Sequence, residues 1–465
     1  MTILDDYISY VATLTDAPYP VIVASAYWLL SSTVGFWFEQ KQVPSFGARR
    51  CNLFVILSGA SGIVRKSTVM EYAEHVYRKA WTEFYNDINI DIDVEDKFIE
   101  EFTVEGIADV VEELANSGVY DFVLTTDEFG IWLQRTSSTH LLGSKGLLSK
   151  LYYGKGYKQN LSRRDGKKGT RRIPSGLYWT MVAAMQEPEQ YLTESDIKQG
   201  LFRRFFIVSV DKRDLREYKP PLTDEHKLLS DNLDKIAEKL KNIMLRLYSF
   251  SGFDPIEVYF TKRVKDKINE YDRQNNEYVK RNYGLISNVG RYMTSAWEHV
   301  TKMTMLNAVA DVDYFSGKVM NLRGIPTFII DDDRFVELSI NIFEPFKERV
   351  IDLIDRITFG KRQPNLPDIE LVGEEIMSII NKNGGRITVR DLLKKLKTTK
   401  RQIKDYVITL VEREEIFVVL EKKRKNSFIL FTDSEKAKEY VQERNLTSGE
   451  HVASLLSYKE FEALW

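Results

Sequence analysis

The sequence predicts an α/β fold in which a parallel or mixed sheet is covered by helices on both faces. One apolar run that ends in glycine, "NLFVILSG" (52–59), stands directly before the helix-like "KSTVMEYAEHVYRKAW". Strand, glycine-containing loop and helix in that order begin an α/β unit. Three further apolar runs follow at intervals that suit crossover connections: "DFVLTTDEF" (121–129), "LYWTMVAAM" (177–185) and "RRFFIVSVD" (203–211).

Composition limits the class of protein. A chain of 465 residues predicts two or three domains, and 43% hydrophobic with 29% charged residues is typical of a soluble globular protein. The net charge is only −2, so nucleic-acid binding would have to come from local basic clusters. The single cysteine, Cys51, excludes an intramolecular disulfide and fits a cytoplasmic protein. Five scattered histidines without a cysteine cluster predict no zinc site.

The first element is the uncharged segment "APYPVIVASAYWLLSSTVGFWF" (17–38). It is long enough to cross a bilayer, which takes ~20 apolar residues. Pro18 and Pro20 near its start, several hydroxyl side chains and acidic residues before it argue against a membrane span or a signal peptide. We predict a helix buried against the next domain, without stable membrane insertion, within an N-terminal helical segment 1–50. A membrane span is the alternative.

The stretch "GASGIVRKST" (59–68) is the first candidate site. Glycines let backbone N–H groups surround phosphates at a helix amino end, while a lysine neutralises the phosphates and a hydroxyl binds Mg²⁺. The usual pattern is G-x-x-x-x-G-K-[ST]; here one residue is inserted and Arg65 replaces the last glycine. The flanking strand and helix still favour an ATP-binding loop. Its candidate residues are Gly59, Ser61, Gly62, Arg65, Lys66, Ser67 and Thr68.

The second candidate site is the pair Asp127 and Glu128 in "LTTDEFG". An acidic pair at the end of a buried strand is costly unless it handles a cation or a proton. We expect Asp127 to hold Mg²⁺ through water, together with Ser67, and Glu128 to orient or activate the attacking water. Two solvated acids that cap the strand are the alternative for the pair taken alone.

Two more residues complete the predicted catalytic set of Lys66, Asp127, Glu128, Gln186 and Arg204. Gln186 follows the third strand, where its side chain can touch a γ-phosphate or the water, although a simple strand cap is nearly as good an interpretation. Arg204 in "QGLFRRF" can stabilise transition-state charge in a neighbouring subunit. A solvated pair of arginines is the alternative.

A basic segment, "KGYKQNLSRRDGKKGTRR" (155–172), lies between the acidic pair and the third strand, with eight basic residues against one acid. Its glycines predict a flexible loop or a hairpin. Charge of one sign at this position favours DNA binding over a merely solvated loop. The candidate DNA-binding residues are Lys155, Lys158, Arg163, Arg164, Lys167, Lys168, Arg171 and Arg172.

The carboxy-terminal half changes character. Long amphipathic helices are predicted at about 223–248, 261–283, 287–311 and 332–358. After the linker "GKRQPNLPDIE", three short helices and a two-stranded wing predict a winged helix that binds DNA or protein. Its candidate DNA-binding residues are Lys400, Arg401, Lys404, Lys422, Lys423 and Arg424. After the N-terminal segment, the predicted divisions are thus an ATPase core (51–220), a helical domain (221–360), a winged helix (369–435) and a helical tail (436–465).

From about residue 5 to residue 355, the chain resembles a family of P-loop ATPases that phages, plasmids and other mobile elements encode, often beside primase modules. The matching motifs are "LLSSTVG", "NLFVILSGASGIVRKST", "TTDEFG", "LYWTMVAAMQEPE", "GLFRRF" and "HVTKMTMLNAVAD". The resemblance implies a P-loop NTPase core like that of RecA-like or AAA+ replicative helicases, and a buried first helix. The inserted residue and Arg65 depart from the usual loop, and no primase domain is present.

The leading hypothesis is therefore an ATP-driven DNA motor, a replicative helicase or DNA remodeller that uses ATP and Mg²⁺. We expect a homo-oligomer, with a hexameric ring as one form, in which arginines act across subunit boundaries. The alternative is an ATP-switched DNA-binding initiator, partition or regulatory protein with little hydrolysis. A membrane-anchored ATPase is the third hypothesis, and it depends on residues 17–38.

Overall fold

The computed structural model describes residues 2–41, 49–60, 62–100, 104–116, 118–136, 142–162, 168–210, 214–217, 226–284, 287–359, 369–396, 403, 406–408, 410–411, 413–421, 427–448, 453–457 and 459–461. The chain divides into two compact units. The first contains Met1–Asp272 and Ser295–Leu353, and the second contains Arg273–Thr294 and Ile354–Trp465.

The first half of the chain alternates strands and helices. Its elements are α1 (Ile3–Leu14), α2 (Tyr19–Val34), β1 (Phe38–Gln40), β2 (Arg49–Arg50), β3 (Phe54–Ser58), α3 (Lys66–Asp87), β4 (Phe98–Ile99), α4 (Val104–Asn116), β5 (Asp121–Thr126), α5 (Phe129–Arg135), α6 (Leu142–Tyr152), β6 (Tyr157–Ser162), β7 (Lys168–Ile173), β8 (Tyr178–Met185), α7 (Pro188–Tyr191), α8 (Glu194–Lys198) and β9 (Phe205–Ser209).

The second half is richer in helix. Its elements are α9 (His226–Ser251), β10 (Ile256–Phe260), α10 (Lys262–Asn282), α11 (Asn288–Met293), α12 (Ala296–Ala310), α13 (Val312–Lys318), β11 (Val319–Leu322), β12 (Ile325–Ile330), α14 (Arg334–Phe359), α15 (Ile369–Lys382), β13 (Arg386–Thr388), α16 (Val389–Lys395), β14 (Phe417–Glu421), β15 (Ser427–Phe431), α17 (Ser434–Ser448) and β16 (Ala453–Leu456).

A five-stranded parallel sheet organises the first unit. Its strand order is β4-β5-β8-β3-β9, and every neighbouring pair is parallel. Strands β3 and β8 are buried along their whole length, which is why they read as continuous apolar runs. The predicted α/β class is confirmed, and each of the four predicted strands contains a strand of this sheet.

The register of this sheet brings three strand ends to one edge. Ser58 at the end of β3 pairs with Met185 at the end of β8, and Thr126 at the end of β5 pairs with Ala183. Because all three strands run in the same direction, the residues that follow them emerge at the carboxyl edge of the sheet. The segments before β3, β8 and β9 lie at the opposite, amino edge.

Helix α2 lies inside the first unit rather than on its surface. Between Tyr19 and Trp37, 94% of the most apolar window is buried, and this is the one described segment long and apolar enough to span a membrane. Several of its polar side chains are paired within the protein. Tyr27 donates to the Asn307 side chain at 2.6 Å, and Ser31 donates to the Cys51 carbonyl at 2.9 Å. These contacts fit the predicted buried helix and do not indicate membrane insertion.

A second sheet was not predicted. Its order is β11-β12-β10-β1-β2, so strands from residues 38–50 pair with strands from residues 256–330. The compact units therefore differ from the predicted divisions: most of 221–360 shares one unit with residues 1–220. Strands β10 and β12 are short and lie between long amphipathic helices, so helical periodicity dominated that part of the sequence.

The second unit contains a four-stranded antiparallel sheet in the order β13-β15-β14-β16. Its core includes Ile376 from α15, Leu392 from α16 and Leu430 from β15. Strands β14 and β15 are the predicted two-stranded hairpin, but the residues that would connect them, 422–426, lie outside the described residues. The tail predicted at 436–465 contributes α17 and strand β16, so it belongs to the same sheet.

The contact of the α2 end with β8 can be tested with two glycine substitutions. A Cβ at Gly35 would collide with the Tyr178 hydroxyl and lie 3.1 Å from the Cys51 Cβ, whereas a Cβ at Gly146 in α6 meets no atom within 4 Å. We expect Gly35→Ala to lower the free energy of unfolding by about 1–3 kcal/mol, and Gly146→Ala to raise it by about 0.5–1 kcal/mol. Urea titration measures both. A membrane-spanning α2 predicts no cost at Gly35.

Candidate functional site

The first candidate site lies at the carboxyl edge of the parallel sheet, in the connection between β3 and α3. Lys66, Ser67 and Thr68 form the first turn of α3. The first N–H groups of a helix have no partner within it, and no side chain caps this helix at Arg65. Among the described residues, the helix therefore begins with N–H groups that have no intrahelical partner and no side-chain cap, and with a positive dipole end, which together favour an anion.

Two glycines shape this connection. Gly59 has φ +151°, and a Cβ there would lie 2.7 Å from Cγ2 of Val64, so only glycine fits. Gly62 has φ +74° with open space around it, so it is needed for its backbone conformation. Both match their predicted roles in a tight loop. Ser61, the third candidate in this part of the loop, lies outside the described residues.

Arg65 takes the backbone conformation that the missing glycine of the motif would take. Its φ is 52° and its ψ is 34°, in the left-handed region. Its side chain forms an ion pair with Asp16, at 3.0 Å from Nε to Oδ1. Asp16 lies between α1 and α2, and Arg216 donates to the carbonyls of Thr15 and Ala17 on either side of it. Arg65 thus ties the loop to the start of α2.

Lys66 is buried, with only 8% of its surface exposed. Its ammonium donates to the Gly59 carbonyl at 2.5 Å. Burial lowers the pKa of Lys66, and the nearby Asp127 carboxylate partly offsets this effect. The carboxylate of the first acid of the pair therefore lies within electrostatic range of the loop lysine.

Ser67 and Asp127, the two predicted Mg²⁺ ligands, line one cavity of about 260 Å³, which we call the loop cavity. The residues that share its wall with them are Met70, Glu71, Glu74, Glu100, Thr125 and Thr126. One hydroxyl and one carboxylate, both hard oxygen donors, fit Mg²⁺, which commonly completes its shell with water and substrate phosphates. Among the described residues, no group of three or more His, Cys, Asp and Glu side chains could hold a metal by itself.

The acidic pair is more exposed than the sequence predicted. Strand β5 ends at Thr126, and both Asp127 and Glu128 lie at the surface, so the expected cost of burying them does not arise. Glu128 precedes α5, and its backbone N–H donates to the Thr126 hydroxyl at 3.3 Å. Gln186 is also exposed and follows β8, the strand between β3 and β5. It therefore emerges between the loop and the acidic pair.

Arg204 lies at the other edge of the sheet. It stands directly before β9, whose first residue, Phe205, pairs with Phe54 at the start of β3. The β3–α3 loop follows the last residue of β3, so Arg204 and this loop are separated by the length of the strands, about 17 Å. It is buried, while Arg203 beside it is exposed. Arg204 does not reach the β3–α3 loop of its own chain, so its predicted action on a neighbouring subunit stays a prediction.

The basic segment contains an antiparallel strand pair. Lys158 on β6 pairs with Arg172 on β7, and Lys168 and Arg171 also lie on β7, while Lys155 precedes β6. The alternative of a hairpin is therefore the better description of these residues. The remaining basic candidates lie outside the described residues: Arg163, Arg164, Lys167, Lys400, Arg401, Lys404, Lys422, Lys423 and Arg424.

Sequence reasoning missed two groups at this site. Asp16 sits 49 residues before its partner Arg65, and no local pattern indicates the pair. Glu74 lies on α3, where it accepts from Thr125 at 2.9 Å and pairs with Arg78 at 2.8 Å. The i, i+4 spacing of Glu74 and Arg78 could have predicted their ion pair on one helix face. No local pattern predicts the hydrogen bond between Glu74 and Thr125 on β5.

No family model matches this chain, and no curated protein is detectably similar to it.

Arg65 allows a test of backbone strain in the loop. A left-handed non-glycine residue costs ~1 kcal/mol, whereas a half-exposed ion pair contributes about 0–1 kcal/mol. We expect the free energy of unfolding of Arg65→Gly to lie within about 1 kcal/mol of that of the parent protein. The free energy of unfolding of Arg65→Ala should be ~1 kcal/mol lower than that of Arg65→Gly. Asp16→Asn removes only the ion pair and serves as the control. Urea unfolding gives all three values, and an alanine variant more stable than the glycine variant would contradict the strained backbone.

Proposed function

We propose that the chain binds ATP and Mg²⁺ at the loop cavity and hydrolyses ATP to drive movement on DNA, as a replicative helicase or DNA remodeller of a mobile element. One observation carries the proposal. The buried ammonium of Lys66 is near enough to the Asp127 carboxylate for that charge to raise its pKa against the effect of burial, and Asp127 shares a cavity with the Ser67 hydroxyl. A cation, an uncapped helix amino end and a carboxylate–hydroxyl pair together match a triphosphate with its metal.

Binding follows from the residues at the amino end of α3. The backbone N–H groups of Lys66, Ser67 and Thr68 donate to phosphate oxygens, and Lys66 moves its ammonium from the Gly59 carbonyl to the phosphates. Bound Mg²⁺ neutralises charge on the phosphates that undergo transfer. Ser67 holds the metal directly, and Asp127 holds its water shell, which suits the exposed position of this carboxylate.

Hydrolysis needs a group that orients or activates water. Glu128 is next to Asp127 and exposed, so its carboxylate is accessible to a water between it and the terminal phosphate. Gln186 emerges from the strand between loop and acids, where its amide can contact the same water or the γ-phosphate. The transition-state arginine proposed at Arg204 requires a neighbouring copy of the chain, and thus a homo-oligomer.

Coupling to DNA is proposed through the β6–β7 pair. This basic segment lies between the acidic pair and Gln186 along the chain, so the chain connects it to both parts of the proposed hydrolysis site. Lys158 and Arg172 face each other across the two strands, and such a basic ribbon suits phosphate contacts without sequence preference. The winged-helix interpretation of the second unit adds a further proposed DNA contact.

The second candidate function, an ATP-switched DNA-binding protein with little turnover, is favoured by Arg65. Its side chain occupies the position of a glycine, and its ion pair with Asp16 ties the loop to the α2 start. A loop held in this way favours stable nucleotide binding over repeated rearrangement. The two candidates differ in turnover, not in binding.

Turnover is tested by measuring ATP hydrolysis and ATP binding with and without single-stranded and duplex DNA. We expect DNA-stimulated hydrolysis, lowered about 10²–10⁴-fold by Glu128→Gln with ATP still bound. Lys66→Ala should weaken ATP binding by about 10–100-fold because it removes a charged donor. Lys79→Ala, on the same helix but paired with Asp234 at 3.1 Å, is the control and should keep both activities. Binding without turnover in the parent protein identifies the switch instead.

The metal assignment is tested by Mg²⁺ titration of ATP binding. Removal of Mg²⁺ with EDTA should abolish hydrolysis. Asp127→Asn should raise the Mg²⁺ concentration needed for half-maximal binding by about 10–100-fold, as expected for a group that acts through metal-bound water. Ser67→Ala should do the same, whereas Thr68→Ala, whose side chain does not line the loop cavity, should not. Equal effects of the two alanine variants would contradict the assignment.

A further inference from the structure

A larger cavity, of about 1010 Å³, opens at the amino edge of the parallel sheet, opposite the nucleotide loop. We call it the basic cavity. Asn52 before β3, Leu177 before β8 and Arg203 before β9 all contribute to its wall. Because the three strands run in parallel, this site is separated from the loop cavity by the length of the sheet. It is therefore a second site and not part of the first.

The charge of its wall is strongly one-sided. Seven cationic and two acidic side chains line it. Each acid lies beside a cation: Glu39 is 3.5 Å from Arg50, and Glu298 is 3.7 Å from Lys302. Lys150, Lys155 and Arg203 are exposed at the wall. Positive charge focused in a concave surface attracts a polyanion.

The floor of the basic cavity is rigid and internally paired. Lys302 is only 2% exposed, and its ammonium donates to the Asn52 carbonyl at 2.8 Å and to the Asn52 side chain at 3.0 Å. The same ammonium lies 3.8 Å from the ring centre of Tyr152. Burial would raise the pKa of Glu298, but Lys302 and Arg49 outweigh it and lower that pKa, so the carboxylate stays charged. These groups hold the wall in place without using the exposed cations.

Arg204 carries a donor that has no protein partner. The residue is 8% exposed, and one terminal nitrogen donates to the Gly200 carbonyl. Its Nε–H is buried and has no hydrogen-bond partner among the described residues. A buried, unpaired donor on a charged group is costly, so it indicates a missing acceptor. Arg204 lines the basic cavity, where an anionic oxygen would supply that acceptor.

Tyr153 adds an aromatic surface among these cations. It is 41% exposed, which is unusual for a large aromatic side chain at a cavity. Arg204 lies 5.2 Å and Lys155 lies 5.7 Å from its ring centre. An exposed ring between cations is the arrangement on which unpaired bases stack while their phosphates are neutralised. Inorganic phosphate would use the cations but not the ring.

The basic cavity is also continuous with the β6–β7 pair. Lys155 lines the cavity and stands two residues before β6, and Lys158 and Arg172 are exposed, cross-strand partners near the base of the pair. A chain of phosphates leaving the cavity thus meets further cations. A duplex keeps its bases stacked inside and offers no free base to Tyr153.

We propose that the basic cavity binds single-stranded nucleic acid, with phosphates at Arg203, Arg204 and Lys155 and one base stacked on Tyr153. An Arg204 that holds a phosphate here cannot also act on the nucleotide of a neighbouring subunit, so this assignment replaces that proposed role. This inference deepens the proposed function and rests on it only in taking a nucleic acid as the partner. It assigns the nucleic acid to the amino edge of the sheet, about the length of one β-strand away from the proposed ATP site.

The test measures binding of the full chain, without nucleotide, to a fluorescein-labelled oligothymidylate of about 20 nucleotides. Fluorescence anisotropy gives the dissociation constant at each of a series of salt concentrations. We expect Arg203→Ala with Lys155→Ala to weaken binding at least ~10-fold and to reduce the salt slope by about 0.7 for each lost phosphate contact. Tyr153→Ala should weaken binding ~10-fold, while Tyr153→Phe stays within about twofold because it keeps the ring. Lys235→Ala with Lys262→Ala, exposed residues outside the cavity, matches the charge change and should have no effect.

Competition defines the ligand. Unlabelled single strands should displace the probe. A DNA oligomer and an RNA oligomer are compared as competitors, and the stronger of the two identifies whether the natural ligand is DNA or RNA. Equal competition by duplex or by pyrophosphate, or unchanged binding in the Arg203/Lys155 and Tyr153→Ala variants, would overturn the proposal. Lys66→Ala should bind the probe normally. If the parent protein shows no ATP hydrolysis but the cavity variants lose the probe, the motor proposal fails and this inference stands.

Discussion

The parallel register of β3, β5 and β8 is the constraint on which the rest of the first unit depends. Because Ser58 is level with Met185 and Thr126 is level with Ala183, the segments after these strands converge without any need for contact along the sequence. The same register places the segments before the strands together at the opposite edge. A single sheet therefore creates two separate places for ligands, one with an acid pair and one with a surplus of cations.

The position of helix α2 helps to explain why the β3–α3 loop can carry Arg65 where the usual motif has a glycine. The helix is buried on all sides, which fixes the residues just before it, and Asp16 is among them. From this fixed position Asp16 pairs with Arg65, and Arg216 holds the neighbouring carbonyls. An arginine in the left-handed conformation is unfavourable by itself, but here it gains an ion pair that glycine could not form. The left-handed conformation of Arg65 is thus offset in part by its contact with the segment between α1 and α2.

How far the sequence predicts this structure depends on the range of the interactions. The strands of the parallel sheet were predictable because continuous apolar runs are local signals. The loop pattern is local too, and it singled out Gly59, Lys66 and Ser67, whose roles at a nucleotide stay predictions, as does that of Asp127. The second sheet was not predictable, because β1 pairs with β10, more than 200 residues away, and β1 and β2 are only three and two residues long. The basic cavity was hidden for the same reason: Arg50, Lys150, Arg204 and Lys302 come from four distant segments.

Strand β8 is the direct mechanical link between the two edges. Its eight residues are all buried and span about 26 Å, with Tyr178 and Trp179 at the basic cavity and Gln186 just beyond its other end. A fully buried central strand, bonded to β3 and β5 on its two sides, does not bend independently of its neighbours. The motor proposed above would therefore have to couple its two sites by moving the sheet as a body. The acidic turn after β5 and the basic β6–β7 pair follow one another along the chain between β5 and β8.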